Sequence, residues 1–210
     1  KVVIYHPMDK IYFCPFFIIR INVIISYIEV MTMNKILILY KSKYGATKKY
    51  AYMLKKEIAC DVFDVKDYQK GMFDKYELVI FASAIYASGI SGLKVLKKNY
   101  AELKNKKVII FCVGASPYDK KAFDEIKAYN LKDDLKDIPI FYGRGTWDES
   151  KMSFKDRSLC KLLQKVIAKK DPETYEPWMK ALVLAKGKKC DWTDRKYIEP
   201  IIDYIKNENI

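Results

Sequence analysis

Short apolar runs alternate with longer amphipathic stretches from residue 34 onward, and this alternation constrains the fold more than any other feature. The runs at residues 35–40, 61–65, 78–82, 107–113 and 138–142 are predicted strands. The first, KILILY, is continuously apolar, as strands buried on both faces of a parallel sheet are. Helices are predicted over 47–59, 93–103 and 121–129, with a short turn near Phe73 as a further helical element.

Strands that alternate with helices form a parallel sheet with right-handed crossovers and helices on both faces. The predicted fold class is therefore α/β, with three layers and a five-stranded sheet of order 2-1-3-4-5. In such sheets ligands bind at the carboxyl ends of the strands where the strand order reverses. We therefore expect the functional site in the loops after strands one, three and four.

About 65 residues follow Gly145, more than a minimal five-strand domain requires. Within residues 150–189 there are 11 Lys and Arg against 4 Asp and Glu, so the C-terminal extension is basic. Helical spacing places Leu159, Leu162, Leu163, Val166 and Ile167 on one side and Lys161, Lys165 and Lys169 on another. Asp171-Pro172 is predicted to end this helix, and Thr193 to cap a last helix that runs through Ile205.

The charge of the chain points to an anionic partner. Lys and Arg total 39 against 26 Asp and Glu, a net charge of +13, which suits phosphorylated ligands, acidic lipid or nucleic acid. His6 is the single histidine, which disfavours histidine catalysis and His-based metal sites. The five cysteines are widely spaced and form no CxxC pair, so we predict no metal site and a reducing, cytoplasmic environment.

Residues 1–32 differ from the rest of the chain and are predicted to lie outside the domain, which we place at residues 33–210. They contain an almost continuous apolar stretch that is interrupted by Arg20. Three interpretations stay open: an over-extended reading frame upstream of Met33, a membrane anchor, or a structural strand or helix. A cleaved signal peptide is disfavoured because small residues are missing at the place where cleavage would occur.

The loop after the first strand has the composition of a phosphate site. Its residues are Ser42, Lys43, Tyr44, Gly45, Ala46 and Thr47, and a helix is predicted directly behind them. A helix N-terminus offers unpaired N–H groups and a partial positive charge, and Ser42 and Thr47 add hydroxyls. The loop matches neither GxxxxGK[ST] nor GxGxxG, which disfavours a P-loop and a dinucleotide fingerprint.

The same run resembles the FMN-phosphate signature of the flavodoxins. The matching positions are Ile38, Leu39, Tyr40, Ser42, Gly45, Thr47, Ala51 and Leu54. This resemblance implies that residues 42–47 bind the phosphate of FMN as a non-covalent cofactor. An ordinary strand-to-helix turn in which Ser42 and Thr47 only cap the helix is the alternative.

Two further loops reach the same predicted edge. In flavodoxins the corresponding loops hold the isoalloxazine ring, so the resemblance implies ring contacts from residues after strands three and four. The residues implied are Ser83, Ala84, Ile85 and Tyr86 in one loop and Gly114, Ala115, Ser116 and Tyr118 in the other. Tyr86 or Tyr118 would stack on the ring, or each could simply pack on its own loop. The cofactor would perform the redox chemistry, so no catalytic side chain is predicted.

A response-regulator receiver uses the same strand order and can be tested against the sequence. It requires an acidic pair after strand one, an Asp after strand three and a Lys after strand five. This chain has Lys41-Ser42, Ser83 and Gly143-Arg144 at those places, which excludes a receiver.

Within the flavodoxin-like proteins, the chain is most similar to the menaquinone-dependent protoporphyrinogen dehydrogenase branch. The first loop, the third loop, the basic extension and the segment Cys190-Asp191-Trp192-Thr193-Asp194, in altered order, carry this similarity. It implies a redox partner or quinone, and contact of residues 150–189 with an anionic membrane surface. The alternative for that segment is a solvated helix whose apolar side packs on the sheet.

A basic α/β binding module without flavin is a second class of function. Its feature would be aromatic residues interleaved with basic ones, as at residues 49–52, although helical periodicity accounts for these equally well. No nucleic-acid partner is expected.

Overall fold

The computed structural model describes residues 35–208. The predicted extension, residues 1–32, and its boundary at Met33 lie outside them. The strands are β1 Ile36–Lys41, β2 Asp61–Asp64, β3 Leu78–Tyr86, β4 Gly89–Ile90, β5 Lys107–Gly114, β6 Ile140–Arg144, β7 Thr146–Asp148 and β8 Lys189–Asp191. The helices are α1 Ala46–Glu57, α2 Leu93–Lys98, α3 Tyr100–Leu103, α4 Lys120–Asn130, α5 Phe154–Ile167, α6 Pro177–Leu184 and α7 Glu199–Asn207.

The central sheet has the predicted topology. Its order is β2-β1-β3-β5-β6, with every neighbouring pair on this path parallel, and β4 adds an antiparallel partner at the end of β3. Counted along the chain without β4, this is the order 2-1-3-4-5. The prediction of an α/β fold with a doubly wound parallel sheet is confirmed.

Alternate side chains of β1 are buried in two different hydrophobic cores, one on each face of the sheet. The continuous apolar run predicts this arrangement. Ile36, Ile38 and Tyr40 join one core, which also contains residues of α1 and α7. Leu37 and Leu39 join the other, formed with residues of α2, α3 and α4. Both faces of the sheet are therefore covered by helices, which gives the predicted three layers and fixes the strand ends at one edge.

Three local predictions were wrong. The third strand continues to Tyr86, four residues beyond its predicted end, because its last residues pair with β4. The predicted helix over 93–103 is interrupted at Asn99, where α2 ends and α3 begins. Thr193 caps no helix: Asp194 caps a 3-10 turn at Arg195–Tyr197, and α7 starts only at Glu199.

The chain after Gly145 forms a two-stranded antiparallel sheet and the helices α5, α6 and α7. Strands β7 and β8 pair antiparallel, with Trp147 opposite Cys190. Helix α5 buries Gln164 and Ile167, and the Gln164 amide donates to Glu149 Oε1 at 3.0 Å. Leu159, Leu162, Leu163 and Val166, here called the apolar α5 face, are exposed. Of the predicted apolar side only Ile167 is buried, so the other four residues do not pack on the domain.

Within residues 35–208, no helix combines the length and the apolar character needed to cross a bilayer.

Candidate functional site

Three of the predicted site segments meet at the carboxyl edge of the sheet. The loop after β1 leads into α1, and β3 and β5 end beside it with the register Lys41–Ser83 and Ala84–Val113. Gly145, just after β6, donates its N–H to the carbonyl of Gly114 at 2.7 Å. A Cβ built on Gly145 would lie 3.1 Å from the Ala46 Cβ, so the start of α1 and the end of β5 are close neighbours.

The phosphate loop, residues 42–47, is shaped by Gly45. This glycine has φ of +97°, a left-handed conformation that L residues adopt at a cost, and it directly precedes α1. Ser42 Oγ accepts a hydrogen bond from the Gly45 N–H at 3.1 Å, which closes the turn. Nothing lies within 4 Å of the position that a Gly45 Cβ would occupy, so the space above the loop is open.

The first turn of α1 leaves donors for an anion. The first helical hydrogen bond runs from Lys49 N–H to the Gly45 carbonyl, so the N–H groups of Ala46, Thr47 and Lys48 have no acceptor within the helix. Thr47 is 1% exposed, and its hydroxyl makes no hydrogen bond to the residues that the structure describes. An open turn with unpaired donors and the positive end of a helix fits a phosphate group.

Lys43 and Tyr44 are held by the C-terminal extension rather than turned into the loop. Asp156, in the first turn of α5, accepts hydrogen bonds from Lys43 Nζ at 2.6 Å and from the Tyr44 hydroxyl. The Tyr44 hydroxyl in turn accepts from the Ser153 N–H at 3.2 Å. The hydrogen bond from Lys43 and then that from Tyr44 lower the pKa of the Asp156 carboxyl below its usual value. Lys43 and Tyr44 therefore attach the loop to the C-terminal extension.

The residues predicted after strand three lie in β3 itself. Ser83 is fully buried, and its hydroxyl donates to the Ser91 carbonyl. This side chain therefore stabilises the fold. Ala84 accepts from the Ser91 N–H at 2.9 Å, and Ile85 pairs with Ile90. The prediction that Ser83 lies in a loop after the strand is wrong, because β3 continues to Tyr86.

Tyr86 ends β3 next to the phosphate loop. Its ring lies 6.4 Å from the Tyr44 ring in an edge-on arrangement, and 38% of the residue is exposed. Burial of the hydroxyl raises the pKa of Tyr86 to about 12, so this side chain is neutral at physiological pH. A neutral aromatic ring is thus available beside the loop.

Two groups that the sequence analysis did not assign hold the ring loop, residues 114–118. The Tyr142 hydroxyl donates to the Ser116 carbonyl at 2.6 Å, and Arg144 Nε donates to the Ala115 carbonyl at 3.0 Å. Tyr118 packs on Tyr142 at 5.9 Å between ring centroids but remains 56% exposed. Tyr142 and Arg144 were not identified because only the pairing of β5 with β6 brings them to this loop.

The turn between β3 and β4 depends on a buried amide. Asn130, at the end of α4, accepts from the Ile90 N–H at 2.8 Å and donates to the Ser88 carbonyl at 2.6 Å. Ala87 and Ser88 have positive φ, so the turn is strained and this amide stabilises it. An Asn at the end of a helix is ordinary in sequence, and nothing local indicates this contact.

Comparison with known proteins identifies the domain. The family model described as "Flavodoxin domain" matches residues 37–174, which contain the phosphate loop and the ring loop. No curated protein matches the sequence significantly. The two solved structures compared are a Trp repressor binding protein from Bacillus subtilis and a candidate flavoprotein from Bacteroides eggerthii.

The first is 17% identical over 53% of this chain and 85% of its own, with a TM-score of 0.38. The second is 16% identical over 65% of this chain and 99% of its own, with a TM-score of 0.40. At such low TM-scores the two structures add nothing to the family assignment, which rests on the match to the family model alone.

Proposed function

The chain belongs to the flavodoxin domain family, and from that premise we propose that it binds FMN and acts in electron transfer or oxidoreduction. The observation that carries this proposal is the phosphate loop. Its Gly45 turn is open above, and the first N–H groups of α1 and the Thr47 hydroxyl have no partner among the described residues. These groups would hold the phosphate, whose charge suits the helix N-terminus.

The remaining predicted site residues would orient the ring of the cofactor. FMN supplies reversible one- and two-electron chemistry when it is bound. The backbone of Gly114, Ala115 and Ser116 would contact the ring edge, since Tyr142 and Arg144 already fix that loop by hydrogen bonds. Tyr86 would cover one face and exclude water, while Tyr118 would cover the other.

The colour of the purified protein tests the proposal. A flavoprotein absorbs in the flavin bands, loses this absorption on anaerobic reduction with dithionite and regains it when a quinone is added. A folded, colourless protein that FMN cannot reconstitute would contradict the proposal and support the basic α/β binding module.

A second, narrower function is protoporphyrinogen oxidation with electrons passed to a quinone at a membrane surface. The sequence resemblance suggests it, and one structural observation favours the membrane part. The apolar α5 face is exposed at Leu159 (48%), Leu162 (57%) and Val166 (49%), with exposed lysines beside it. Apolar side chains that reach the acyl boundary, flanked by lysines for anionic headgroups, are typical of interfacial helices.

This orientation of α5 is the reverse of what a helix on a globular domain normally shows. The side that packs inward carries Ile167 together with Asp156, Arg157 and Gln164, whose side chains are held by hydrogen bonds, while the leucines face outward. An apolar stripe that a domain leaves uncovered marks an interaction surface. We propose that the interacting surface is the cytoplasmic face of a membrane rich in anionic lipid.

Sedimentation with anionic vesicles tests the membrane contact. Replacing Lys161, Lys165 and Lys169 with Gln removes three charges, each of which contributes about 1 kcal/mol to the free energy of binding to an anionic membrane. The partition constant should therefore fall about a hundredfold. The matched control replaces three exposed lysines of α2, Lys94, Lys97 and Lys98, and should change partitioning little.

Replacing Leu159 and Leu162 with Ser should also reduce vesicle binding, and this loss should persist at high salt. Wild-type protein that ignores anionic vesicles would show the membrane proposal to be wrong, while FMN binding would remain to be judged by colour. Oxidation of protoporphyrinogen by a quinone, measured with loaded protein, tests the narrower activity itself.

A further inference from the structure

Arg144 is held rigidly at the edge of the site by two contacts. Its Nε donates to the Ala115 carbonyl at 3.0 Å, and its guanidinium carbon lies 3.9 Å from the centre of the Trp192 ring. The backbone of Trp192 is itself fixed, because its amide N–H donates to the Gly145 carbonyl at 3.1 Å. An arginine stacked on an indole and pinned at Nε has lost most of its conformational freedom before any ligand arrives.

The outer edge of this guanidinium is unused. Among the residues that the structure describes, neither Nη group of Arg144 donates a hydrogen bond, and no carboxylate lies within ion-pair distance. Arg157 shows the contrast, since its Nε and Nη2 donate to three backbone carbonyls, of Glu149, Ser150 and Met152. Arg144 is half-buried, and its two Nη groups are the donors that remain for a ligand.

The position of Arg144 relates this unused edge to the site. In the register of the sheet it lies opposite Gly114, the first residue of the ring loop, and Gly145 next to it neighbours Ala46 at the start of α1. An anion held by Arg144 would therefore lie at the same edge as a cofactor bound by the phosphate and ring loops, outside the phosphate loop itself.

We propose that Arg144 is the binding site for a carboxylate on the molecule that exchanges electrons with the bound cofactor. The planar guanidinium fork matches a carboxylate through two parallel N–H···O bonds, and the Trp192 ring beside it favours an apolar body on the ligand. The substrate class is thus an apolar organic acid. The inference rests on the proposed redox function only in naming this ligand as the reaction partner.

The anion site can be tested without any redox reaction. Benzoate carries one carboxylate on an apolar ring, and benzamide is its neutral counterpart. In ¹⁵N-labelled protein the Nε–H signals of only four arginines are expected, and Arg144→Lys identifies that of Arg144. Benzoate should shift the Arg144 signal saturably and leave the Arg195 signal unchanged, while benzamide should shift neither. An Arg144 signal that does not respond to benzoate overturns the proposal.

A second experiment tests the substrate class on the loaded protein. Protoporphyrin IX has two carboxylates on an apolar ring, and its dimethyl ester has the same ring without charge. Arg144→Gln should weaken binding of the diacid about tenfold and leave the ester unchanged, so that the preference for the diacid is lost. Arg144→Lys, which keeps the charge without the fork, should fall between. Arg195→Gln, which removes one exposed charge elsewhere, should preserve the preference.

The outcomes separate the two proposals. If benzoate shifts the Arg144 signal but neither porphyrin binds, the carboxylate site stands and the protoporphyrinogen activity is wrong. If Arg144→Gln weakens diacid and ester alike, the residue only supports the ring loop, and the carboxylate site is wrong. The carboxylate site is also wrong if Arg195→Gln reduces the preference for the diacid as much as Arg144→Gln does.

Discussion

Asp156 of α5 accepts a hydrogen bond from Lys43 of the phosphate loop at 2.6 Å, although 113 positions separate them in sequence. The Tyr44 hydroxyl donates to the same carboxylate. Two consecutive residues of the loop are thus tied to the first turn of the helix that carries the exposed apolar face. The loop and the C-terminal extension are mechanically connected through one carboxylate.

Asp156→Asn should loosen this connection without unfolding the sheet. The neutral amide keeps the shape of the side chain but loses the charge that attracts Lys43 and strengthens the bond from Tyr44. We expect faster tryptic cleavage within α5, whose lysines are exposed, at unchanged circular dichroism. Asp124→Asn is the control, since Asp124 pairs with Lys120 and Lys127 inside α4. Equal cleavage of the wild type and Asp156→Asn would contradict the connection.

The connection should also depend on pH in a defined direction. The bonds from Lys43 and Tyr44 lower the pKa of Asp156, so its contribution to stability is present above the unfolded value, about 3.9, and is lost as pH falls through the lowered one. The bond to Asp156 raises the pKa of Lys43 above its ordinary 10.5, so that contribution is lost only in strong alkali. The difference in urea midpoint between wild type and Asp156→Asn should be constant from pH 5 to 9 and should disappear as pH falls through the lowered pKa of Asp156. A difference that grows on acidification would contradict this assignment.

Removal of the phosphate-loop hydroxyls should discriminate between flavins. Ser42→Ala with Thr47→Ala should weaken FMN binding by about 2–4 kcal/mol, because a hydrogen bond to a charged group contributes about 1.5–3 kcal/mol. Riboflavin lacks the phosphate and should bind wild type and variant alike, as fluorescence titration can measure. Ser158→Ala with Thr174→Ala, outside the loop, is the control. Equal weakening of both flavins would mean that the loop does not hold the phosphate.

Gly114→Ala should affect both flavins equally. A Cβ there would lie 2.7 Å from the Tyr142 hydroxyl oxygen, so Tyr142 must move and its hydrogen bond to Ser116 must break. Overpacking of this kind costs about 1–3 kcal/mol of stability. FMN and riboflavin should both bind more weakly, and Tyr142→Phe, which removes the bond without the clash, should show a smaller effect. Unchanged affinity in Gly114→Ala would exclude the ring loop from the site.

Tyr86 should contribute more to ring stacking than Tyr118. Tyr86 lies beside the phosphate loop and is the less exposed of the two, while Tyr118 already packs on Phe123 and Tyr142. Tyr86→Leu should reduce quenching of flavin fluorescence and weaken both flavins, and Tyr86→Phe should retain both properties. The reverse ranking, with Tyr118→Leu the more damaging, would show this assignment to be wrong.

The strands and most helices could be predicted because their apolar periodicity is local. The extension of β3 to Tyr86 could not, since it depends on pairing with β4 and on the Asn130 amide from α4. The two-stranded sheet of β7 and β8 joins segments about 40 residues apart, and neither carries a continuous apolar pattern.

Helix α5 shows a different limit. Helical spacing grouped Ile167 with Leu159, Leu162, Leu163 and Val166, but Ile167 is buried and the other four are exposed. Spacing alone cannot say which side packs inward. Gln164 and Ile167 face inward because the Gln164 amide bonds to Glu149 and to the Leu182 carbonyl, contacts made only in three dimensions. The same holds for the site, where the phosphate loop is local in sequence and Arg144, Tyr142 and Asp156 are brought to it by the fold.

We expect this domain to bind one FMN through the phosphate loop. The most direct measurement is calorimetric titration of the folded, flavin-free protein with FMN, and then with riboflavin. The expected result is one FMN per chain, bound more tightly than riboflavin. A chain that keeps its fold and binds neither flavin, or binds both equally, would contradict it.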